Sequence, residues 1–380
     1  MERLDIEVAI IGGGIVGCST ALHLRLRGVP CVLLEQGQTG AAASGVNFGG
    51  VRRNGRALEE LEIAAHSFEI WRRMPALLGT DCEYVVSGHL KLARSDADME
   101  QMSRHAEAQA AYGVKVEMLS RNALMARYPY FGEGVVGAAW CDRDGQANPR
   151  LVGPAFARAA VEAGAIVREN TRVETVAKDD GRFTITCGDH PDHHLEVRAK
   201  TLVNAAGAWG NRIAERFGEH APMQAMTPQM VVTEPYPYFL VPALGVVGGD
   251  VYIRQIPRGN IVFGGGFGDA TLEQARATVA PKQTVGACEA AVRVIPRLAH
   301  AHLIRVWSGF EGITQDHLPV LGPSRATAGL IHAFGFSGHG FALSPGVGSI
   351  VAALIATGNA PVSIAPLDID RFTSRTTASC

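Results

Sequence analysis

The sequence predicts an α/β fold of two interleaved domains, one on a parallel sheet and one, of α+β type, on a mainly antiparallel sheet. Three observations carry this. Val8 to Ile11 is an unbroken apolar run that meets Gly12, Gly14 and Gly17, and the apolar stretch Ile15 to Leu26 reads as the helix leaving that turn. From 222 to 267 the pattern becomes short strands punctuated by glycine and proline: QMVVTEPY, GVVGGDVYIRQIP and NIVFGGGFG. From 329 to 355, GLIHAFGFSGHGFALSPGVGSIVAALI repeats the strand, glycine turn and helix of the N-terminus.

The N-terminal turn organises the rest. In G-x-G-x-x-G the first two glycines permit a tight turn and close backbone approach to a pyrophosphate. The third permits close helix–strand packing, and the helix N-terminus offers unpaired N–H groups to an anion. The arrangement is Rossmann-type: strand, turn, helix, then a second strand from Pro30 to Leu34 that ends in Glu35. A carboxylate there holds both ribose hydroxyls and repels a 2′-phosphate, which favours FAD or NAD over NADP.

With 380 residues the chain can bury a large core in two domains. Charge is balanced at −2 with no basic stripe, so nothing points to nucleic acid. The charged segment Met1 to Glu7 is unlike a signal peptide and no apolar stretch reaches membrane-spanning length. The cysteines, at 18, 31, 82, 141, 187, 288 and 380, are scattered without a C-x-x-C, so no metal or iron–sulfur site is expected. A reducing, cytoplasmic location follows as the expectation.

Along the chain, residues 37–55 (GQTGAAASGVNFGGVRRNG) read as a long loop poor in side chains, suited to lie against a flat ligand. Ser44 can donate to a phosphate there, and Asn47, Gly49, Gly50 and Val51 can line a ring system, with Phe48 as apolar cover. Of Arg52 and Arg53, one is expected to face a cofactor or anionic substrate and the other solvent. Residues 56–79 carry a helical pattern in which Trp71 reads as core. Residues 89–93 read as a strand, 96–112 and 120–127 as helices, 134–141 as a strand, and 149–164 as a helix opened by Pro149. Thr171–Arg172–Val173 lies between strands. His190, Asp192, His193 and His194 resemble metal ligands, but at a hairpin tip they lack a supporting shell and read as an exposed polar turn. In TLVNAAGAWG (201–210) a buried strand runs into small residues at a sheet end, where open α/β sheets bind ligands. Residues 271–299 read as helix, 305–323 as strand and turn, and 373–380 as a frayed tail.

Together these stretches resemble the D-amino-acid oxidase family of FAD-dependent oxidoreductases. The likeness is to the branch of glycine oxidase, sarcosine oxidase and its β-subunits, and the opine, hydroxyproline and cyanide-forming dehydrogenase flavoproteins. Its carriers are the G-x-G-x-x-G with Glu35, SGVNFGGVR, the T-R-V strand, VNAAGAWG, DHLPVLG and GFSGHGFALSPGVG. The resemblance implies an FAD-binding domain of 1–80, 142–220 and 300–365, a substrate domain of 81–141 and 221–299, and a C-terminal tail of 366–380. It implies that Gly12, Gly14 and Gly17, with Ile15 and Val16, hold the pyrophosphate, and that Glu35, with Gln36, holds the ribose. Ser44, Asn47, Phe48, Gly49, Gly50 and Val51 would approach phosphate and isoalloxazine, Val173 the adenine, and Ala206, Gly207 and Trp209 the pyrophosphate. Gly338, His339, Gly340 and Phe341 would sit at the flavin's pyrimidine edge. Tyr252 occupies the position of a substrate-facing tyrosine, with core packing as the alternative, and Arg254 two residues on should face the same side.

Three departures from the family pattern shape the functional expectation. RVWSG lacks the cysteine that attaches FAD in some relatives, so FAD is expected to be non-covalent. Ile261–Val262–Phe263 lacks a lysine that assists oxygen reduction, so oxygen is expected to be a poor acceptor, with a partner subunit or quinone taking the electrons. Glu311 stands where an arginine clamps the substrate carboxylate of glycine. It is expected to bind a cationic substrate group or to pair with Arg254 or Arg52. The expected activity is oxidation of a CH–NH bond in an amino acid or N-substituted amino acid, with Arg52, Tyr252, Arg254, Glu311 and His339 in the pocket. The alternatives are a 2-hydroxy-acid dehydrogenase with His339 or His317 as base, and a flavin-carrying subunit of an electron-transfer complex. An NAD-dependent dehydrogenase leaves GFSGHGF and the loop after Glu35 unexplained.

Overall fold

The structure, a computed structural model, describes residues 2–188 and 194–373. The hairpin residues His190, Asp192 and His193 and the tail from 374 lie outside that range. The chain opens with β1 (Glu2–Ile11), α1 (Ile15–Arg25) and β2 (Cys31–Leu34). Val8 to Ile11 and all of β2 are buried, as parallel strands covered on both faces must be. α1 is buried from Ile15 to Leu24 all round, so it is a core helix rather than an amphipathic one. The loop after β2 is not structureless: it carries a helical turn at Ala43–Val46 and a short strand at Gly50–Val51.

Beyond it come α2 (Leu61–Trp71), β3 (His89–Ala93), β4 (Gly137–Cys141) and α3 (Pro149–Glu162). Then follow β5 (Leu195–Asn204), β6 (Pro228–Pro235), β7 (Ala243–Val246), β8 (Tyr252–Gln255) and β9 (Asn260–Phe267). The chain closes with α4 (Pro281–Val294), β10 (Leu303–Ser308), β11 (Leu330–Phe334) and α5 (Gly340–Thr357). α5 has the length and apolarity of a membrane-spanning helix, but Phe341 to Ala353 are buried in the domain core. The indole N–H of Trp71 in α2 donates to the Ala342 carbonyl of α5, so Trp71 is core, as its spacing implies.

The first sheet runs Val320–Pro323, β11, β5, β1, β2 and Ile166–Arg168, parallel except at its Val320–Pro323 edge and where the hairpin Val173–Asp179 and Arg182–Cys187 joins β5 antiparallel. The second runs β10, β6, β9, β8, β7, β3, β4 and Glu117–Ser120, antiparallel except for β3 against β7. Three boundaries differ from the sequence expectation. β10 belongs to the second sheet, because it pairs with β6 from Gln229–Ser308 to Thr233–Leu303, so 303–308 do not join the cofactor-side layer. Residues 366–373 are not a loose tail: Leu367, Ile369 and Phe372 are buried, the last two beside Val320 and Phe334. Within 271–299, Asp269–Thr271 and Arg276–Thr278 form a small hairpin, and helix begins only at Pro281, which suits a first-turn position where its missing N–H costs nothing.

Candidate active site

A cavity of about 1580 Å³ lies between the two sheets. That exceeds the roughly 300–1,000 Å³ of a pocket for one drug-sized ligand. One end meets the carboxyl ends of β1 and β2. The other is walled by the second sheet.

At the first end, the glycines are imposed by packing. Gly12 has φ of +109°, and a Cβ there would stand 2.3 Å from the Ala205 carbonyl oxygen. A Cβ on Gly17 would stand 1.9 Å from the Gly12 oxygen. Gly14 differs: its Cβ would meet only the Ser44 hydroxyl, at 3.0 Å, and it faces the cavity. The Glu35 carboxylate accepts from the N–H groups of Gly13 (2.6 Å) and Gly37 (2.8 Å), and Ser44 Oγ accepts from Ile15 N–H (2.9 Å). Asn47 Oδ1 accepts from Gly49 N–H at 2.7 Å, which holds the loop taut.

At the second end, one register row crosses the sheet: Ala139, Lys91, Gly245, Tyr252, Gly264, Met230 and Trp307. Paired residues share a face, so large side chains alternate here with glycines. The Tyr252 ring lies over Gly264, whose Cβ would fall 2.3 Å from it. Burial, and then the nearby Glu311 charge, push the Tyr252 phenol up, so it stays a neutral hydrogen-bonding group. Glu311 lines the cavity and accepts from Gly338 N–H at 2.5 Å. Burial pushes its carboxyl up to about 7, against the pull of that N–H. It pairs with neither Arg52 nor Arg254, so the ion-pair expectation does not hold.

Arg254 is a further correction. It shares a face with Tyr252, yet it does not line the cavity. Gly49, at φ of +83°, lets the loop pass over it, and its guanidinium donates to the Ala147 carbonyl (2.8 Å) and packs against the Phe48 ring. Arg52 does line the cavity, with one nitrogen donating to the Asn54 carbonyl at 2.7 Å. Arg53, expected in solvent, is buried over Phe68, its backbone N–H held by Asp144. His339 caps the start of α5 beside the cavity, its Nδ1 within 3.0 Å and 2.8 Å of the two Glu60 oxygens. Glu60 in turn faces Arg56 at 3.5 Å; they are 0% and 2% exposed. Burial works to raise the Glu60 carboxyl, but His339, Arg56 and Arg52 outweigh it and hold it below its ordinary value. Burial likewise lowers His339, against Glu60, so a neutral ring donates from Nδ1 to a carboxylate.

A family model described as FAD dependent oxidoreductase, DAO, matches residues 7–354. The chain belongs to this DAO family. A subunit of opine oxidase from Rhizobium meliloti is 28% identical over 97% of this chain and 98% of that protein. Glycine oxidase of Geobacillus kaustophilus (strain HTA426) is 26% identical over 96% of this chain and 97% of that protein. The crystal structure of L-proline dehydrogenase from P. horikoshii matches with a TM-score of 0.89 and 26% identity, over 98% of this chain and 99% of that one.

The cavity of this DAO-family chain suits FAD. The open face of Gly14 and the N-terminus of α1 lie at its first end, and Val16, Glu35 and Gln36 continue that wall. Ser44, Asn47, Phe48, Gly49 and Gly50 line it further along, as do Val173, Ala206, Gly207 and Trp209. Gly338, His339, Gly340 and Phe341 complete it at the N-terminus of α5, whose dipole favours negative charge. Three residues expected at the cofactor lie behind the wall instead. Ile15 and Val51 are fully buried core side chains, and Gly17 packs under Gly12. No cysteine lines the cavity among the described residues. A lysine does reach it, from β3 rather than from β9: this is Lys91, with His89 beside it. Alternation in HLKLA places both opposite Leu90 and Leu92, so the strand's own pattern carries the signal for them. Glu60 and Arg56, by contrast, fall in the helical stretch 56–79 outside its apolar positions and carry no such signal.

Proposed function

We propose that this protein oxidises the CH–NH bond of an amino acid or N-substituted amino acid, with FAD held non-covalently. The observation that carries the reading is the continuity of the cavity, which joins the glycine turn at one end to a charged, half-apolar wall at the other. The relatives named for opine, glycine and proline oxidation support it. FAD, when bound, supplies the hydride acceptor for the substrate α-carbon. The protein's own residues bind and orient the substrate and manage one proton. Tyr252 offers its phenol to the substrate, and Arg52 offers its guanidinium. Glu311, with one oxygen held by Gly338 N–H, takes the ammonium proton onto the other, so that the amine reacts neutral. The cavity's apolar side walls exclude water while the reacting groups are held in line.

Electrons then leave to oxygen, a quinone or a partner subunit; the relatives named as subunits of opine oxidase and sarcosine oxidase favour a partner. A cytoplasmic location belongs to the same reading, since the six described cysteines are free. Anaerobic bleaching of the flavin by a panel of D- and L-amino acids, N-methyl and N-carboxyalkyl amino acids and 2-hydroxy acids tests it. Bleaching by an amino acid supports the proposal, and bleaching by hydroxy acids alone overturns it. That second reading has one observation in its favour. The Glu60–His339 contact fixes the tautomer that leaves Nε2 as an acceptor, which a CH–OH substrate needs as a base.

A further inference from the structure

We propose that His89, Lys91 and Arg52 form a carboxylate-binding subsite, over the notch left by Gly245, that takes the acid group of the substrate. The inference rests on the amino-acid reading above and adds residues that the family pattern does not supply, since Glu311 stands where a carboxylate clamp would be.

The notch follows from register. Gly245 lies between Lys91 on β3 and Tyr252 on β8, so two side chains flank a position that has none. A Cβ added at Gly245 would meet only the His89 ring, with Nε2 at 3.5 Å, so the floor is open and bordered by a polar edge. His89, Lys91 and Arg52 all line the cavity here, and each has hydrogen-bonding capacity to spare. The Lys91 ammonium makes no hydrogen bond or ion pair among the described residues. His89 is 4% exposed and its Nδ1 has no partner. Arg52 has one nitrogen on the Asn54 carbonyl and also lines the cavity.

The protein places no carboxylate of its own among them. Glu60 is taken by Arg56 and His339, and Asp144 by the N–H groups of Arg53 and Asn54. Asp250 pairs with Arg94 at 2.7 Å, and Asp98 accepts from the Arg94 N–H. The cluster is therefore short of negative charge. Burial and then the Arg52 charge lower Lys91 to about 8, and burial with Arg52, Lys91 and Arg56 keeps His89 neutral. An anion in the notch relieves that repulsion, accepting from the Lys91 ammonium, the Arg52 guanidinium and one imidazole N–H. Glu311 is held by Gly338 N–H and pairs with no residue of this corner, so the substrate's acid group takes the cationic side and its amine the Glu311 side.

The test is a titration of the FAD-loaded protein with propionate and, separately, propionamide, followed by the flavin absorption spectrum. Propionate should perturb the spectrum and propionamide should not. Lys91→Met should weaken propionate about thirtyfold, the scale of one charge-assisted contact, and should raise KM for the amino-acid substrate far more than it lowers kcat. Lys91→Arg should retain most of the binding. Gly245→Leu, at a backbone position with no left-handed requirement, should abolish it with unchanged FAD content. Failure of wild type to bind propionate, or equal binding by Lys91→Met and Gly245→Leu, overturns the subsite. Lys91-dependent propionate binding without oxidation of any amino acid keeps the subsite and overturns the proposed reaction instead.

Discussion

Glu60 and Arg56 form a charge pair almost wholly shut off from solvent, which makes the removal of Glu60 a sensitive measure of the architecture behind His339. In Glu60→Ala the Arg56 guanidinium, 2% exposed, loses its partner at 3.5 Å, and His339 loses its acceptor. Breaking a buried pair from one side costs about 3–5 kcal/mol. The Arg56 Nε still donates to the Arg52 carbonyl at 2.7 Å, and Asp144 still compensates part of the charge. The lower end, about 3 kcal/mol, is therefore expected. Glu60→Gln keeps an acceptor for His339 and should cost about half as much. Glu60→Leu combined with Arg56→Met removes both charges and should recover most of the loss, because apolar replacement of a buried pair is often neutral. Urea unfolding of the FAD-loaded protein, read by tryptophan fluorescence, compares the three variants with wild type. The sign with pH is fixed as well. The Glu60 carboxyl is held below its ordinary 4.5, so its contribution is complete above that value and is lost as pH falls through its lower folded value. The gap between wild type and Glu60→Ala should narrow in acid. A Glu60→Ala loss under about 1 kcal/mol, or a double variant no better than Glu60→Ala, refutes the account.

Further outcomes follow from the same geometry. Gly14→Val should abolish FAD retention with little change in the fold of the apoprotein, because the added side chain enters the cavity while its Cβ meets only the Ser44 hydroxyl; absorption at the flavin maximum after purification checks this. Heat or acid should release free FAD into the supernatant, since no described cysteine reaches the cavity, and flavin that stays with the precipitated chain contradicts it. With Glu311 protonated below about 7 and ionised above, kcat/KM for an amino-acid substrate should rise through that region, and Glu311→Gln should lower it about hundredfold and flatten the limb. Because this carboxyl is raised, its stabilising share is present below 4.5 and lost as pH climbs towards 7, so Glu311→Gln should gain stability relative to wild type at pH 8 compared with pH 4.

The parts of this protein written in short range are readable from its sequence. The run Val8–Ile11, the glycine spacing and Glu35 specify β1, α1 and β2 because each needs only its neighbours to be recognised. Alternation along β8 puts Tyr252 and Arg254 on one face, and there they are, both packed against Phe48. What alternation leaves out is the cover: the Gly49 loop closes over Arg254, a contact between residues some two hundred positions apart. The same distance hides Glu60, whose burial comes from α5 and from Arg56 together rather than from any local pattern. β10 belongs to the second sheet for a like reason, since its membership is decided by a partner strand, β6, far upstream.

The chain's repeated crossing between its two sheets has a mechanical consequence. It passes from α2 to β3, from β4 to α3, from β5 to β6, and from β10 to β11, so the layers are stitched along the length of the cavity rather than hung from one linker. Two domains joined once can swing apart at a hinge of a few residues. Here an opening motion would have to bend every crossing in step, and each is anchored by strands or helices at both ends. Traffic of substrate and product therefore falls to local excursions of the segments roofing the cavity, while the spacing between the glycine turn and the charged wall stays constant through the cycle.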